Sequence, residues 1–282
     1  MRKSVLLALI LLLALTCIVV PTMAEEKGIL GRLTKLGVDE DTLNADIADF
    51  FFSKMPFSRY KYFDNLNSML LALNSGDIAG LTVDEFTGRY LLSRTEDFTE
   101  YKSSTMITHL LHFTMLLREE DAELCEKISD TIKAMEADGT LETLKKQYID
   151  DCIDGVEPDA VVPEKFEGAD TLKVALTGDR PPMDYFSFAG EPVGFNTAIM
   201  AEIGKRLGLN VEFISIETGA RSISLSSGAC DIVFWSEAGD FENRDGYETE
   251  DQPANTVLSE PYLSGWMVYI VMKGSDVAAL SE

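Results

Sequence analysis

The chain has 282 residues, 46 % of them hydrophobic and 26 % charged, the balance of a globular protein long enough for two modest domains or one bilobed one. Acids outnumber bases 48 to 24, for a net charge of −24. So acidic a surface repels nucleic acid and anionic lipid, which argues against DNA or RNA as a partner.

The chain opens with "MRKSVLLALILLLALTCIVVPTMAEEKG": basic Arg2 and Lys3, a long apolar stretch, then "PTMA" before Glu25. Thr22 and Ala24 suit signal-peptidase cleavage, so residues 1–24 read as an export signal. Retention of the apolar run as an anchor, or lipidation at Cys17, are the alternatives. No later segment approaches the ~18 uninterrupted apolar residues of a membrane span.

Residues 27–60 carry helix signals, with apolar Leu43, Ile47, Phe50 and Phe51 in "VDEDTLNADIADFFFSKM". Tyr60–Phe63 reads as a short strand. Asn65–Leu73 reads as a helix stopped by "NSG", with Gly76 free to take the left-handed position past its end. "DIAGLTVD" is then a strand, "EFTGRYLLSR" a short helix, and "ITHLLHFTMLLR" (Ile107–Arg118) a buried strand. "EEDAELCEKISDTIKAMEADGTLETLKKQYID" predicts two helices broken at Asp138-Gly139.

Residues 151–169, with two prolines, several acids and no periodicity, form a linker. A new α/β unit starts at Leu172: a strand, a Pro-Pro loop, a Gly turn, an amphipathic helix and a second strand ending near Phe213. "GARSISLSSG" predicts a helix ending at Gly228, "CDIVFWSE" a strand, "AGDFENRDGYETEDQPANTVLSEPY" a polar loop and "GWMVYIVMK" (Gly265–Lys273) a closing strand. "SMLLALNSGDIAGLTVDEF" and "RSISLSSGACDIVFWSEAG" echo each other: helix, Ser-Gly stop, Asp-containing strand, acidic turn.

Cys125, Cys152 and Cys230 are scattered, with no C-x-x-C spacing, so neither zinc nor a disulfide framework is indicated. A single bridge from Cys152 to Cys125 or Cys230 stays open. His109 and His112, the two histidines, flank a buried strand and read as core or hinge residues. There is no Ser/His/Asp set, phosphate loop or dinucleotide fingerprint, so the chain reads as a non-enzyme without cofactor or metal.

Five stretches carry a resemblance. "VALTGDRPPMDYFSFAGEPVGFNTAIMAEIGKRLGLNVEFISI", "SLSSGACDIVF" and "VLSEPYLSGWMVYIVMKGS" resemble, in order, the first half of the bacterial extracellular solute-binding proteins of family 3. "YFDNLNSMLLALNSGDIAGLTVDEFTGRYLL" and "LLREEDAELCEKISDTIKAMEADGTLETLKKQYID" resemble the family's second lobe and C-terminal helices, yet precede the first half here. The resemblance therefore implies a periplasmic-binding-protein-like (type II) α/β fold with two lobes, a hinge and an interlobe cleft, in inverted order. Residues 25–150 would supply the second lobe and tail, 151–169 the linker and 170–282 the first lobe. A circular permutant and a remnant of a tandem pair both fit. The second lobe reads as abbreviated, because residues 25–55 lack the strand and Gly-Thr turn with which the family opens it.

The resemblance also implies ligand-binding positions. Asp84 matches an Asp that faces a ligand's amino group, though it equally suits the N-cap of the following helix. Tyr185, in the loop after the first strand, matches an aromatic that stacks on the substrate, and Arg180 stands in that loop within reach of the cleft. Trp235 and Ser236 end a strand that borders the cleft. The carboxylate clamp falls on Arg244, one residue late in "DFENR", with Arg221 as the competing cation. Asp231, Asn196 and Glu260 match structural positions: strand edge, helix N-cap and hinge. The implied function is capture of a small polar solute, an amino acid above all, for an ABC-transporter permease outside the cytoplasm. The alternatives are a membrane-tethered sensor and an incomplete binder without transport activity.

Overall fold

Strand alternation explains the architecture. In β4 (Thr171–Leu176), Leu172, Val174 and Leu176 enter one apolar core while Ala175 enters another. β9 (Ile232–Ala238) does the same with Ile232 and Phe234 against Val233. β3 (Leu110–Arg118) follows with Phe113, Met115 and Leu117 against Leu116. A sheet buried on both faces needs apolar residues at nearly every position, which these three strands supply. The computed structural model describes residues 61–102, 110–238 and 252–281. The export segment, the helix expected over 27–60, Cys17, His109 and Arg244 lie outside the described residues.

The described residues fall within one unit, Arg59–Glu282. Before β3 come α1 (Leu66–Ser75), β1 (Gly80–Asp84), α2 (Glu85–Arg94) and β2 (Phe98–Tyr101). After it come α3 (Ala122–Ala137) and α4 (Thr140–Lys145), the latter running through a π turn to Ile153. Beyond β4 lie the short strands β5 (Asp179–Arg180), β6 (Asp184–Phe186) and β7 (Pro192–Val193), then α5 (Phe195–Leu207), β8 (Asn210–Ser215) and α6 (Arg221–Ser226). β10 (Thr256–Leu258) and β11 (Leu263–Met272) follow β9. The main sheet runs β1-β11-β3-β9-β4-β8, with β10 on β3 and β2 on β11.

β11 is shared by two lobes. Its residues Leu263–Trp266 pair with β3 in the larger one, and Met267–Met272 pair with β1 and β2 in the smaller. The small lobe has its own core of Leu66, Leu73, Leu81, Leu91 and Ile270. At the crossing only glycine fits: a Cβ on Gly265 would lie 2.6 Å from the Phe86 ring and 2.7 Å from Glu85 Oε1. β3, which precedes the linker in sequence, lies between β9 and β11, so both halves of the chain build the large lobe's sheet. The result is an α/β fold of two unequal lobes joined by a common strand.

Local expectations largely match. Gly76 closes α1 at φ 79°, and Gly139, also at φ 79°, separates α3 from α4. Of the expected linker, 151–169, Asp151–Ile153 are helical and the remainder contains neither helix nor strand. Four readings need correction. Residues 61–63 are not a strand. The loop before Tyr262 contains β10, held to the edge of β3 by Val257↔Leu117. α5 is capped by Gly194 rather than Asn196. Neither bridge open to Cys152 forms, and Cys125, Cys152 and Cys230 are all buried.

Candidate functional site

The parallel strands lie in the order β8-β4-β9. From β4 the chain passes to β8 on one side and then returns to β9 on the other. In open α/β sheets the crevice at such a switch point, outside the carboxyl ends of the strands, is where ligands bind. Arg180 lies in the loop after β4, Arg221 in the segment after β8, and Trp235 and Ser236 on β9 beyond the residues it pairs with β4.

The β4 loop is held by Asp184, which is 2 % exposed. Its Oδ1 accepts from Thr177 N (2.8 Å), Thr177 Oγ1 (2.6 Å) and Gly178 N (3.2 Å), and its Oδ2 accepts from Asn196 Nδ2 (2.9 Å). Tyr262 donates its hydroxyl to Asn196 Oδ1 at 2.9 Å. Its ring packs among Phe113, Phe195 and Phe234, and burial, then the nearby Asp184 charge, holds its pKa well above the ordinary value. Gly194, at φ 118°, lets the loop press on the start of α5; a Cβ there would lie 2.4 Å from Met183 O. The first amides of α5 are spent on that loop, Phe195 N on Pro182 O (3.0 Å) and Asn196 N on Met183 O (2.8 Å). Met183 itself is fully buried.

Arg180 reaches across to the small lobe, where its Nη2 donates to Asp84 Oδ2 at 3.0 Å. Asp84, the last residue of β1, also caps α2, accepting from Thr87 N (2.9 Å) and Thr87 Oγ1 (2.8 Å). The Asp84 side chain is 1 % exposed and that of Arg180 31 %. Burial works against the Arg180 cation, but Asp84 and then Asp184 outweigh it and hold its pKa above the ordinary value. The preceding residue, Asp179, accepts from Leu66 N at the start of α1 at 2.7 Å.

Arg221 opens α6. Its Nη1 donates to Phe234 O at 2.9 Å and its Nε to Thr218 O at 3.3 Å, and its guanidinium lies 5.6 Å from the centre of the Trp235 ring. Among the described residues no carboxylate pairs with it. Burial, then the charge of Arg180, depresses its pKa to about 10, so it stays a cation at neutral pH. Ser236, next to Trp235 on β9, is exposed.

The structure thus pairs Arg180 with Asp84, sets Arg221 over the Trp235 ring, and brings Arg180 close enough for its charge to act on Arg221. Tyr185 is not in this group. It follows Asp184 in β6 and so points to the opposite face; its hydroxyl lies 4.0 Å from Cys152 Sγ, and burial, then Cys152, raises its pKa. Arg244 lies outside the described residues. Asp231 ties the start of β9 to Arg118 (2.9 Å) and Lys173 N (2.9 Å). The Glu260 backbone amide donates to Ser129 Oγ on α3 at 3.0 Å, and its carboxylate pairs with Lys133 at 3.1 Å. His112 Nδ1 meets Ser264 Oγ at 2.9 Å beside the strand crossing. Sequence reasoning missed Asp179, Asp184 and Tyr262; the acid immediately after "RPPM" was the signal available for Asp184. No group of metal-ligating side chains gathers among the described residues.

The sequence match falls on this crevice. Residues 172–277 match the profile of the bacterial extracellular solute-binding proteins, family 3, from β4 to just past β11. That segment is similar to the family 3 solute-binding proteins over a little more than a third of the chain. No curated protein is detectably similar in sequence. Among solved structures, the GluR0 ligand-binding core in complex with L-glutamate is 8 % identical at a TM-score of 0.38, over 79 % of this chain and 71 % of that one. The ligand-binding component of an ABC-type import system from Staphylococcus aureus is 12 % identical at 0.38, over 83 % and 66 %. NikA from Staphylococcus aureus, in complex with Ni(L-His)2, is 8 % identical at 0.41, over 75 % and 56 %. This chain therefore spans about two thirds or less of the length of the last two. The solute-binding segment supports binding of a small ligand, in a family typically found outside the cytoplasm. Among the described residues no helix is long and apolar enough to cross a membrane.

Proposed function

We propose that the chain is an extracytoplasmic solute-binding protein that captures a small carboxylate-bearing solute in the crevice between its lobes, without chemistry, and delivers it to an ABC-transporter permease. The observation that carries this reading is Arg221. It is a half-buried guanidinium at the carboxyl ends of the strands, with two carbonyl contacts and a Trp face but no carboxylate among the described residues. A desolvated cation beside an apolar wall is what a bound carboxylate needs, since charge-assisted hydrogen bonds there are the strong ones. Arg180 adds a second cation within range of the first. By the family resemblance Arg244 adds a third, and Ser236 offers a hydroxyl. α-Amino acids qualify by their carboxylate alone.

The test is a thermal-shift screen of the full chain against mono- and dicarboxylates, the twenty amino acids, polyamines and sugars. A ligand that binds only the folded state at 100 times its Kd stabilises by about 2.7 kcal/mol. Carboxylates are expected to raise the melting temperature, and Arg221→Ala to abolish that shift while the protein still melts cooperatively. A shift with polyamines or sugars alone, or one that survives Arg221→Ala, overturns the reading.

A further inference from the structure

A crevice selects its ligand by the hydrogen-bonding capacity its own residues leave unused. The two buried carboxylates have little left. Asp184 accepts four hydrogen bonds, all from Thr177, Gly178 and Asn196, which fills the roughly four acceptor sites of a carboxylate. Asp84 accepts three, from Thr87 twice and from Arg180, and its side chain is 1 % exposed. Asp179, partly exposed, accepts one, from Leu66 N, and is turned to the start of α1. The donors differ. Arg180 spends one nitrogen on Asp84 and is 31 % exposed, and Arg221 spends two nitrogens on carbonyls, while a guanidinium carries five N–H groups.

We infer that the crevice takes carboxylates lacking a neighbouring ammonium group, because Arg180 already holds Asp84, the carboxylate that an ammonium would need. This rests on the proposed solute-binding function and narrows it. An α-amino acid would bring its ammonium between two guanidiniums, where like charges repel, and would find its acceptor withdrawn unless Arg180 swung away. The same contact fastens the lobes. Asp179 and Arg180, adjacent on β5, hold the starts of α1 and α2 on the small lobe. Displacing Arg180 would therefore also loosen the contact between the lobes.

The experiment compares ligand pairs that differ only in the α-ammonium: propionate with L-alanine, succinate with L-aspartate, glutarate with L-glutamate, and 3-phenylpropionate with L-phenylalanine. Affinities for the full chain are read by titration calorimetry. An ammonium left without a partner is expected to weaken binding by about 10- to 100-fold within the pair that binds best. Arg180→Ala should narrow that ratio by exposing Asp84, whereas Arg180→Lys should keep it. Should Arg180→Ala not fold, the wild-type ratio and Arg180→Lys still decide. An amino acid that binds wild type as tightly as its deaminated partner, or a ratio unchanged in Arg180→Ala, overturns this inference and leaves solute binding standing. Failure of all eight ligands to bind overturns both.

Discussion

The Arg180–Asp84 contact can be tested for stability independently of any ligand. Asp84→Asn keeps the cap on the Thr87 amide, because asparagine caps as well as aspartate, removes the charge and replaces the oxygen that accepts from Arg180 with an NH2 donor. Its cost is the charge-assisted hydrogen bond to Arg180, about 1 kcal/mol once Arg180's 31 % exposure is allowed for. Arg180→Met keeps most of the volume but strands Asp84, 1 % exposed, with only its two Thr87 bonds. Breaking a fully buried pair costs about 3–5 kcal/mol, and the open side of Arg180 reduces this to about 2–3 kcal/mol. The double variant removes both charges and should cost about 1–2 kcal/mol, well short of the sum, giving a coupling of about 1.5–2 kcal/mol. Urea unfolding at pH 7 measures this, followed by circular dichroism and by Trp235 and Trp266, the chain's two tryptophans. A coupling within about 0.5 kcal/mol of zero would show that the pair does not form in solution and would refute the account of the crevice built on it.

Three further outcomes are expected. Gly265→Val places its side chain on the Phe86 ring and Glu85 Oε1, and should lower stability by about 1–3 kcal/mol, as overpacking does; an unchanged urea midpoint would contradict the close crossing of β11. Asp138 accepts from Thr140 and from Arg206 Nη1, which depress its pKa from 3.8 to about 2. A depressed carboxylate stabilises above its unfolded value, so the advantage of wild type over Asp138→Asn should hold from neutral pH to about 5 and vanish as pH falls through about 2. An advantage that does not shrink with acid would count against the Thr140 and Arg206 contacts. Finally, Cys125, Cys152 and Cys230 are at most 5 % exposed, and burial, then Asp231, pushes the Cys230 thiol up to about 11. In the native full chain these three should label slowly with a thiol reagent at pH 8 and rapidly in urea, read by peptide mass; fast native labelling of any of them would contradict the packing.

Much of the fold was legible because it is written in short-range patterns. "LKVAL" and "CDIVF" are apolar runs that only a sheet covered on both faces accommodates, and β4 and β9 are such strands. Gly76 and Gly139 mark helix boundaries because their left-handed conformation suits glycine. What escaped notice lacks a local pattern. β2 and β10 are short edge strands of "FTEY" and "TVL", too brief for alternation to register, and their place is set by β11 and β3. Asn196 was expected to cap α5, but Gly194 takes that position and leaves the amide free for Asp184 and Tyr262. Arg180 and Arg221 were legible as cations near the crevice; that one is paired and the other is not depends on residues far apart in the chain.

The joint between the lobes shows why such pairings resist a local reading. Its contacts are helix-start contacts of an ordinary kind. Asp84 caps α2, Glu85 Oε1 accepts the Trp266 amide at 2.9 Å, and Asp179 accepts the Leu66 amide at the start of α1. Helix starts carry positive partial charge and unpaired amides, so each acid is favourable where it stands. A sequence reading finds Asp84 as a cap because its amide partner, Thr87, is three residues away. It does not find the Asp179 contact, whose partner lies 113 residues away, nor the pairing of Arg180 with Asp84, 96 residues apart. Asp84 is also in register with Met267, the first β11 residue paired in the small lobe. The cap, the cross-lobe ion pair and the strand crossing therefore meet at one place. A change in the charge of Asp84 acts at once on the start of α2, on the contact between the lobes and on the position of Arg180 in the crevice.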